Sequence, residues 1–96
     1  MNDPLNRVPL PQHRIASRVI QGRTVILDPR TEELQRLNEV GSHLWQRITE
    51  RSLTVEALIS TTVDSFSVDP ETAEQDVLAF LAQLEEKGLL RYAETG

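Results

Sequence analysis

Ninety-six residues with 39% hydrophobic and 26% charged content supply one ordinary globular domain, leave no room for a second, and place the chain apart from disordered, collagenous and membrane sequences. The absence of cysteine removes disulfides, thiolate nucleophiles and the usual structural zinc sites, so stability must come from packing, and a reducing compartment is consistent with that. Fifteen acidic against ten basic side chains give a formal charge of −5, which opposes the phosphate neutralisation behind nonspecific nucleic-acid binding. No apolar run approaches the roughly 18 residues needed to cross a bilayer, and MNDPLNRVPLPQ lacks the basic-then-apolar order of a secretory signal. The expected address is cytoplasmic, with neither membrane nor nucleic acid as partner.

Residues 1–12 contain Pro4, Pro9 and Pro11 and no sustained period, and read as a flexible or loosely docked N-terminal arm. The folded domain is expected over residues 13–92. RIASRVI and TVILD are rich in β-branched residues and flank Gln21-Gly22, which predicts a hairpin. Asp28-Pro29-Arg30-Thr31 has turn chemistry, Asp suiting the first position and Pro presetting φ at the second. A third strand follows over Glu33 to Leu37. Its alternation is poor, because Leu34 and Leu37 lie three apart, so it is expected to be bulged or at an edge.

Beyond Leu37 the period becomes helical. Asn38 caps a first helix to about Glu50, with Val40, Leu44 and Ile48 on its stripe and Trp45 beside it. Thr54 caps a second, where Leu53 and Leu58 have the spacing of a hydrophobic staple. Asp69 caps a third that opens on Pro70 and ends at Lys87-Gly88, its stripe made of Ala73, Val77, Phe80, Leu81 and Leu84. Leu89 to Tyr92 returns as a short extended segment, and residues 93–96 should fray. The fold class is therefore α+β, winged helix-turn-helix-like, with three short antiparallel N-terminal strands followed by three helices. The expected core combines Val77, Leu81, Leu44, Trp45, Ile48, Leu58, Ile59, Val25 and Leu27.

Catalytic chemistry finds no footing. His13 and His43 have no cysteine partner and no second histidine at i+4, and Ser42 and His43, about 100° apart on a helix, point in different directions. The four isolated glycines form neither a phosphate loop nor a dinucleotide fingerprint. No metal, cofactor or catalytic residue is assigned, and an enzyme is not expected. Three helices with a wing keep a DNA-binding reading open, but the third helix carries five acidic residues and one lysine, which phosphate would repel.

The stretches RLNEVGSHLWQRI and LTVEALISTTVDSFSVDPETAEQDVLAFLAQLEEKGLL resemble the PqqD-like family of leader-peptide-binding proteins, the RiPP recognition elements. The resemblance is carried by Leu37-Asn38-Glu39, Trp45, Thr54-Val55-Glu56, the run from Asp76-Val77 to Phe80-Leu81, and Gly88-Leu89-Leu90, and covers roughly residues 13–92. It implies a noncatalytic chaperone for natural product biosynthesis. Such a module binds the leader of a ribosomally synthesised precursor peptide and presents it to a modifying enzyme such as a radical SAM protein, a cyclase or a leader peptidase. In the family the leader adds as a strand to the third strand, against the third helix. Carried onto this chain, that implicates Glu33, Leu34, Gln35, Arg36 and Leu37 on the strand, and Asp76, Phe80, Gln83, Leu84 and Lys87 on one flank of the helix.

The physics is compatible, since an edge strand offers unpaired N–H and C=O groups and alternate side-chain pockets add selectivity. Phe80 stands open between core and groove, and Arg36 between meeting an acidic leader and facing solvent. A protein adaptor using the same edge in another pathway is the rival reading. The exposed edge also admits a homodimer.

Overall fold

The computed structural model describes residues 4–93. A 3-10 turn, Pro4–Asn6, precedes β1 (Pro9–Pro11), β2 (Ala16–Ile20), β3 (Arg23–Asp28) and β4 (Glu33–Arg36). Helices α1 (Glu39–Arg51), α2 (Val55–Phe66) and α3 (Pro70–Glu86) follow, and β5 (Leu90–Tyr92) closes the chain. Two antiparallel sheets result, β2-β3-β4 and β1-β5, so the α+β arrangement of a three-stranded wing and three helices is present.

The helix boundaries follow from their caps. Asn38 Oδ1, Thr54 Oγ1 and Asp69 Oδ1 each accept an N–H three residues on, at 2.7, 3.1 and 2.7 Å. At the far end of α3, Gly88 takes φ +73°, its N–H donates to Glu85 O at 3.0 Å, and Leu89 N–H donates to Leu84 O at 2.9 Å. This is a Schellman closure, with Leu84 and Leu89 both buried beside it. Gln21 (φ 53°) and Gly22 (φ 79°) are both left-handed, which gives the β2–β3 hairpin its two-residue turn.

The register of the wing decides which side chains meet the core. Ile26 pairs with Ser17 and Gln35, Thr24 with Val19, and Asp28 with Glu33, so Thr24, Ile26 and Asp28 share the inner face and all three are buried. Val25 and Leu27 lie on the outer face. Leu27 is 40% exposed, and the expectation that Leu27 belongs to the core is corrected: Ile26, fully buried, takes that place. Ile59, also expected in the core, is only partly buried at its margin. The remaining core is Leu44, Trp45, Ile48, Val55, Leu58, Val77, Leu81, Leu84, Leu89 and Leu90.

The N-terminal segment also departs from the sequence reading. Pro9 is fully buried, β1 pairs with β5 in the register Pro9↔Tyr92 to Pro11↔Leu90, Arg7 O accepts Val55 N–H at 2.9 Å, and the Arg7 guanidinium sits 3.5 Å from the centre of the Tyr92 ring. Backbone pairing with a distant strand holds a segment too short to show a period. Residues 1–3 of the expected arm and residues 94–96 of the expected frayed end lie outside the described residues.

Two ties join the wing to the helices. The first is a hydroxyl relay at the end of the β3–β4 ladder. Leu37 N–H donates to Thr24 O at 2.9 Å, but Thr24 N–H donates to Ser42 Oγ at 2.8 Å, and that hydroxyl lies 3.5 Å from Leu37 O. Ser42, on α1 and buried, thus replaces the ladder bond that Leu37 O would otherwise accept. The second tie lies at the other end of β4. Asp28 Oδ1 accepts Arg30 N and Nε, and Oδ2 accepts Nη2, all at 3.0 Å, while Nη2 also donates to Gly88 O at 2.9 Å. A Cβ at Gly88 would stand 2.9 Å from Arg30 Nη2, so the absence of a side chain permits this contact.

Ser42→Ala leaves the buried Thr24 N–H without a partner and should destabilise the domain by about 1–3 kcal/mol, roughly 4–8 °C in Tm per kcal/mol. A denaturation midpoint equal to that of the parent protein would show the relay to be dispensable.

The Arg30 guanidinium holds the Asp28 carboxyl below its usual value of 3.8. The unfolded chain binds this proton at higher pH than the folded one, so the stability from the pair is complete above about pH 4 and is lost as pH falls through the lowered value. Arg30 is 57% exposed, which screens the pair and keeps its contribution small. Urea midpoints measured from pH 6 to pH 2 should therefore fall less steeply below pH 4 for Arg30→Gln than for the parent.

Candidate functional site

β4 is the terminal strand of its sheet and faces α3 across a groove. The groove is a chain of three depressions. The middle one, about 340 Å³, is lined by Gln35, Arg36, Leu37, Asn38, Phe80, Gln83, Leu84 and Lys87. Phe80, Gln83 and Asn38 continue into a second of about 350 Å³ that reaches Val40, Gly41, Asp76 and Ala79. Gln35 and Lys87 continue the other way into a third of about 190 Å³, bounded by Asp28, Thr31, Glu33 and Leu89. Nine of the ten residues expected from the sequence therefore border one continuous groove, Arg36 at the strand edge that forms its rim. Leu34 does not: it is 66% exposed on the opposite face of the strand.

The backbone of β4 explains that division. Leu37 N–H points to Thr24, and in an antiparallel ladder such residues alternate, so Gln35 and Glu33 also turn their backbone groups toward β3. The N–H and C=O of Leu34 and Arg36 point away from the sheet, as a free edge. Side chains alternate independently of this: Gln35 and Glu33 face the helices, Leu34 and Arg36 face outward.

The floor of the groove is apolar and well supported. Phe80 is partly buried and packs against the core, and Leu84 beneath it is buried. A Cβ built on Gly41 would lie 3.1 Å from Phe80 Cε1, 3.1 Å from Asn38 Oδ1 and 3.3 Å from Leu37 Cβ. Gly41 thus lets the Phe80 ring rest on the first turn of α1, and Phe80 is both core and groove lining. Across the top, Lys87 Nζ donates to Gln35 Oε1 at 3.1 Å, an exposed bond joining helix to strand. Sequence reasoning missed Gly41, Asn38, Val40 and Ala79 as lining residues at one end, and Asp28, Thr31 and Leu89 at the other. Of the first four, only the cap at Asn38 carried a local signal, since Gly41 and Val40 become neighbours of α3 through the fold alone and Ala79 sits on α3 outside its apolar stripe.

Elsewhere the chemistry is structural. Ser42 is committed to the ladder relay, and His43 turns from it to lie 3.2 Å from Thr61 Oγ1 and edge-on to Phe66 at 5.4 Å between ring centres. Burial, and secondarily the Arg47 charge, push the His43 pKa down and keep the ring neutral at physiological pH. Among the described residues, no three His, Asp or Glu side chains are grouped to hold a metal, and no helix is long and apolar enough to cross a membrane.

No curated protein matches the chain. Solved structures do. TbiB1 in complex with the TbiA(beta) leader peptide has 30% identity and a TM-score of 0.80 over 88% of this chain and 99% of that one. Lasso peptide synthetase B1 complexed with the leader peptide has 22% identity and a TM-score of 0.78, over 86% and 96%. The PqqD truncation of Methylobacterium extorquens PqqCD, a stand-alone RiPP recognition element, has 22% identity and a TM-score of 0.71, over 88% of each chain. The latter two bear on the fold. The family model described as Coenzyme PQQ synthesis protein D (PqqD) matches residues 23–90, from the start of β3 to the start of β5 and so across both walls of the groove. The resemblance read from the sequence stands, and the chain belongs to the PqqD family.

Proposed function

We propose that this chain is a noncatalytic peptide chaperone, which binds the leader of a ribosomally synthesised precursor as a strand added to β4 and presents it to a modifying enzyme. The observation that carries this reading is the coincidence of a free strand edge, at Leu34 and Arg36, with an apolar-floored groove against α3. A strand docked there satisfies the outward N–H and C=O groups and lowers every second side chain toward Phe80 and Leu84. The leader-peptide complex of TbiB1, similar to this chain over nearly its whole length, supports a peptide as the ligand. The partner fitting this role is a radical SAM protein, a cyclase or a leader peptidase that acts on the peptide beyond the segment held.

Titration of the isotope-labelled protein with precursor-like peptides encoded near its gene should move the amide signals of residues 34–37, along β4 and just past it, and 76–87, along α3 and its C-cap, ahead of all others. Saturable shifts confined to α2, or the absence of any, would overturn the assignment.

Leu34→Pro removes one outward N–H and leaves the bonds of β4 to β3 in place, because residue 34 does not donate to that ladder. One hydrogen bond at about 0.5–1.5 kcal/mol corresponds to a loss of roughly two- to tenfold in peptide affinity, read by calorimetry, with the fold intact by circular dichroism. Unchanged affinity would mean that the peptide does not pair with β4.

A further inference from the structure

The edge of β4 separates two surfaces of opposite charge. Register places Ala16, Leu27 and Leu34 in one outward row, Arg18, Val25 and Arg36 in the next, and Ile20 with Arg23 in a third. This face carries three arginines and no acid, and none of the three makes an ion pair among the described residues. It also holds three exposed large apolar side chains, Ile20, Leu27 and Leu34. Val25 lies on the same face yet is only 8% exposed, as expected for a residue flanked on both strands by arginine stems. On the groove side the balance reverses. Glu33 and Asp76 stand at its two ends, and the one cationic side chain turned toward it among the described residues, Lys87, already donates to Gln35.

A strand added to β4 presents its side chains alternately to these two surfaces, since paired residues in an antiparallel or parallel ladder keep to the same face. The residue opposite Gln35 enters the groove, and its neighbours stand beside Leu34 and Arg36 on the outer face, with cross-strand Cβ separations of about 5 Å. Arg18 adds its charge two strand spacings, roughly 10 Å, behind Arg36. Among the described residues no side chain forms an ion pair with that row.

Resting on strand addition as proposed above, the geometry points to a ligand class: an extended segment whose acidic residues all fall on one parity, facing outward beside Arg36, while the alternate residues are apolar or neutral and face Phe80 and Leu84. Arg36 selects by charge from outside the groove, and the groove selects by shape. Shifting the acidic residues by one position turns them toward Glu33 and Asp76, so composition alone does not define the ligand. An exposed cross-strand ion pair of this kind changes affinity by about two- to fivefold, which repeated selection compounds.

The probe is a displayed library of random twelve-residue peptides, selected in parallel on the parent protein, Arg36→Glu, Arg36→Gln and Arg23→Glu. Arg23 lies on the same face but at the hairpin end, away from the edge, and serves as the control for net charge. The parent and Arg23→Glu should enrich Asp and Glu on alternate positions of one parity, with apolar residues on the other. Arg36→Gln should lose the acidic preference, and Arg36→Glu should replace it by Lys and Arg at the same positions. Acid enriched equally on both parities, or the same preference in all four pools, overturns the inference. The selected peptides are then measured against Leu34→Pro. If that variant weakens them while charge preference ignores Arg36, strand addition stands and this inference alone fails; if that variant leaves them unaffected, or if no peptide is enriched, both fall.

Discussion

The Ser42 hydroxyl is the point on which the geometry of the groove depends. A β-ladder running to its natural end would let Leu37 O accept Thr24 N–H and carry β4 onward beside β3. The hydroxyl of α1 intervenes, takes the Thr24 N–H at 2.8 Å and faces Leu37 O, so the strand stops at Arg36 and the chain turns at once into the Asn38 cap. The edge of β4 is thereby fixed against the first turn of α1. Gly41, one residue before Ser42, exposes that turn to the Phe80 ring. A single turn of helix therefore terminates the strand, supports the aromatic floor and closes one end of the groove.

Magnitudes indicate how affinity must be divided at such a site. Leu34 and Arg36 offer two N–H and two C=O groups, and four net hydrogen bonds at about 0.5–1.5 kcal/mol each contribute roughly 2–6 kcal/mol. Micromolar binding requires about 8 kcal/mol after the cost of ordering a flexible peptide has been met. Backbone pairing alone falls short, so it cannot supply both affinity and choice of ligand. On the proposed docking the remainder comes from side chains, through apolar burial against Phe80 and Leu84 on one face and charge on the other. Such a site then tolerates sequence variation along the ligand while requiring its alternation.

The helices were legible because their signals are local. Asn38, Thr54 and Asp69 each cap within three residues, and Pro70 and Gly88 mark the ends of α3 by backbone chemistry alone. The wing was half legible. The Gln21-Gly22 turn and the edge character of β4 were readable, but the buried face of β3 was not, because Thr24 and Asp28 share it with Ile26 while Val25 and Leu27 look more apolar. Asp28 is held there by Arg30, two residues on, and the Thr24 amide by Ser42 on α1, while the Thr24 hydroxyl is buried with no hydrogen-bond partner among the described residues. The docking of β1 was invisible for a related reason, since three residues bonded to β5 carry no period. Of the groove, the residues on β4 and α3 followed from the family resemblance, and helical spacing placed Phe80 and Leu84 on one stripe. Gly41 and Val40 could not be placed there without the packing of α1 against α3.

The groove is held at both ends and only lightly in the middle. At one end the Ser42 relay and the Phe80–Gly41 contact lock β4 to α1, and at the other Arg30 joins the Asp28 carboxylate to the carbonyl of Gly88 at the C-cap of α3. The first tie is buried, whereas the second rests on the bidentate Asp28–Arg30 pair, whose guanidinium reaches the Gly88 carbonyl through an exposed bond. Between them the sole hydrogen bond identified across the groove among the described residues is Lys87 to Gln35, made by two side-chain tips at the surface. An exposed bond of that kind contributes little and exchanges readily with solvent or ligand. On the proposed strand addition, a docking peptide displaces this bond and leaves both end ties in place, so the domain itself has little to reorganise and that part of the binding cost stays small.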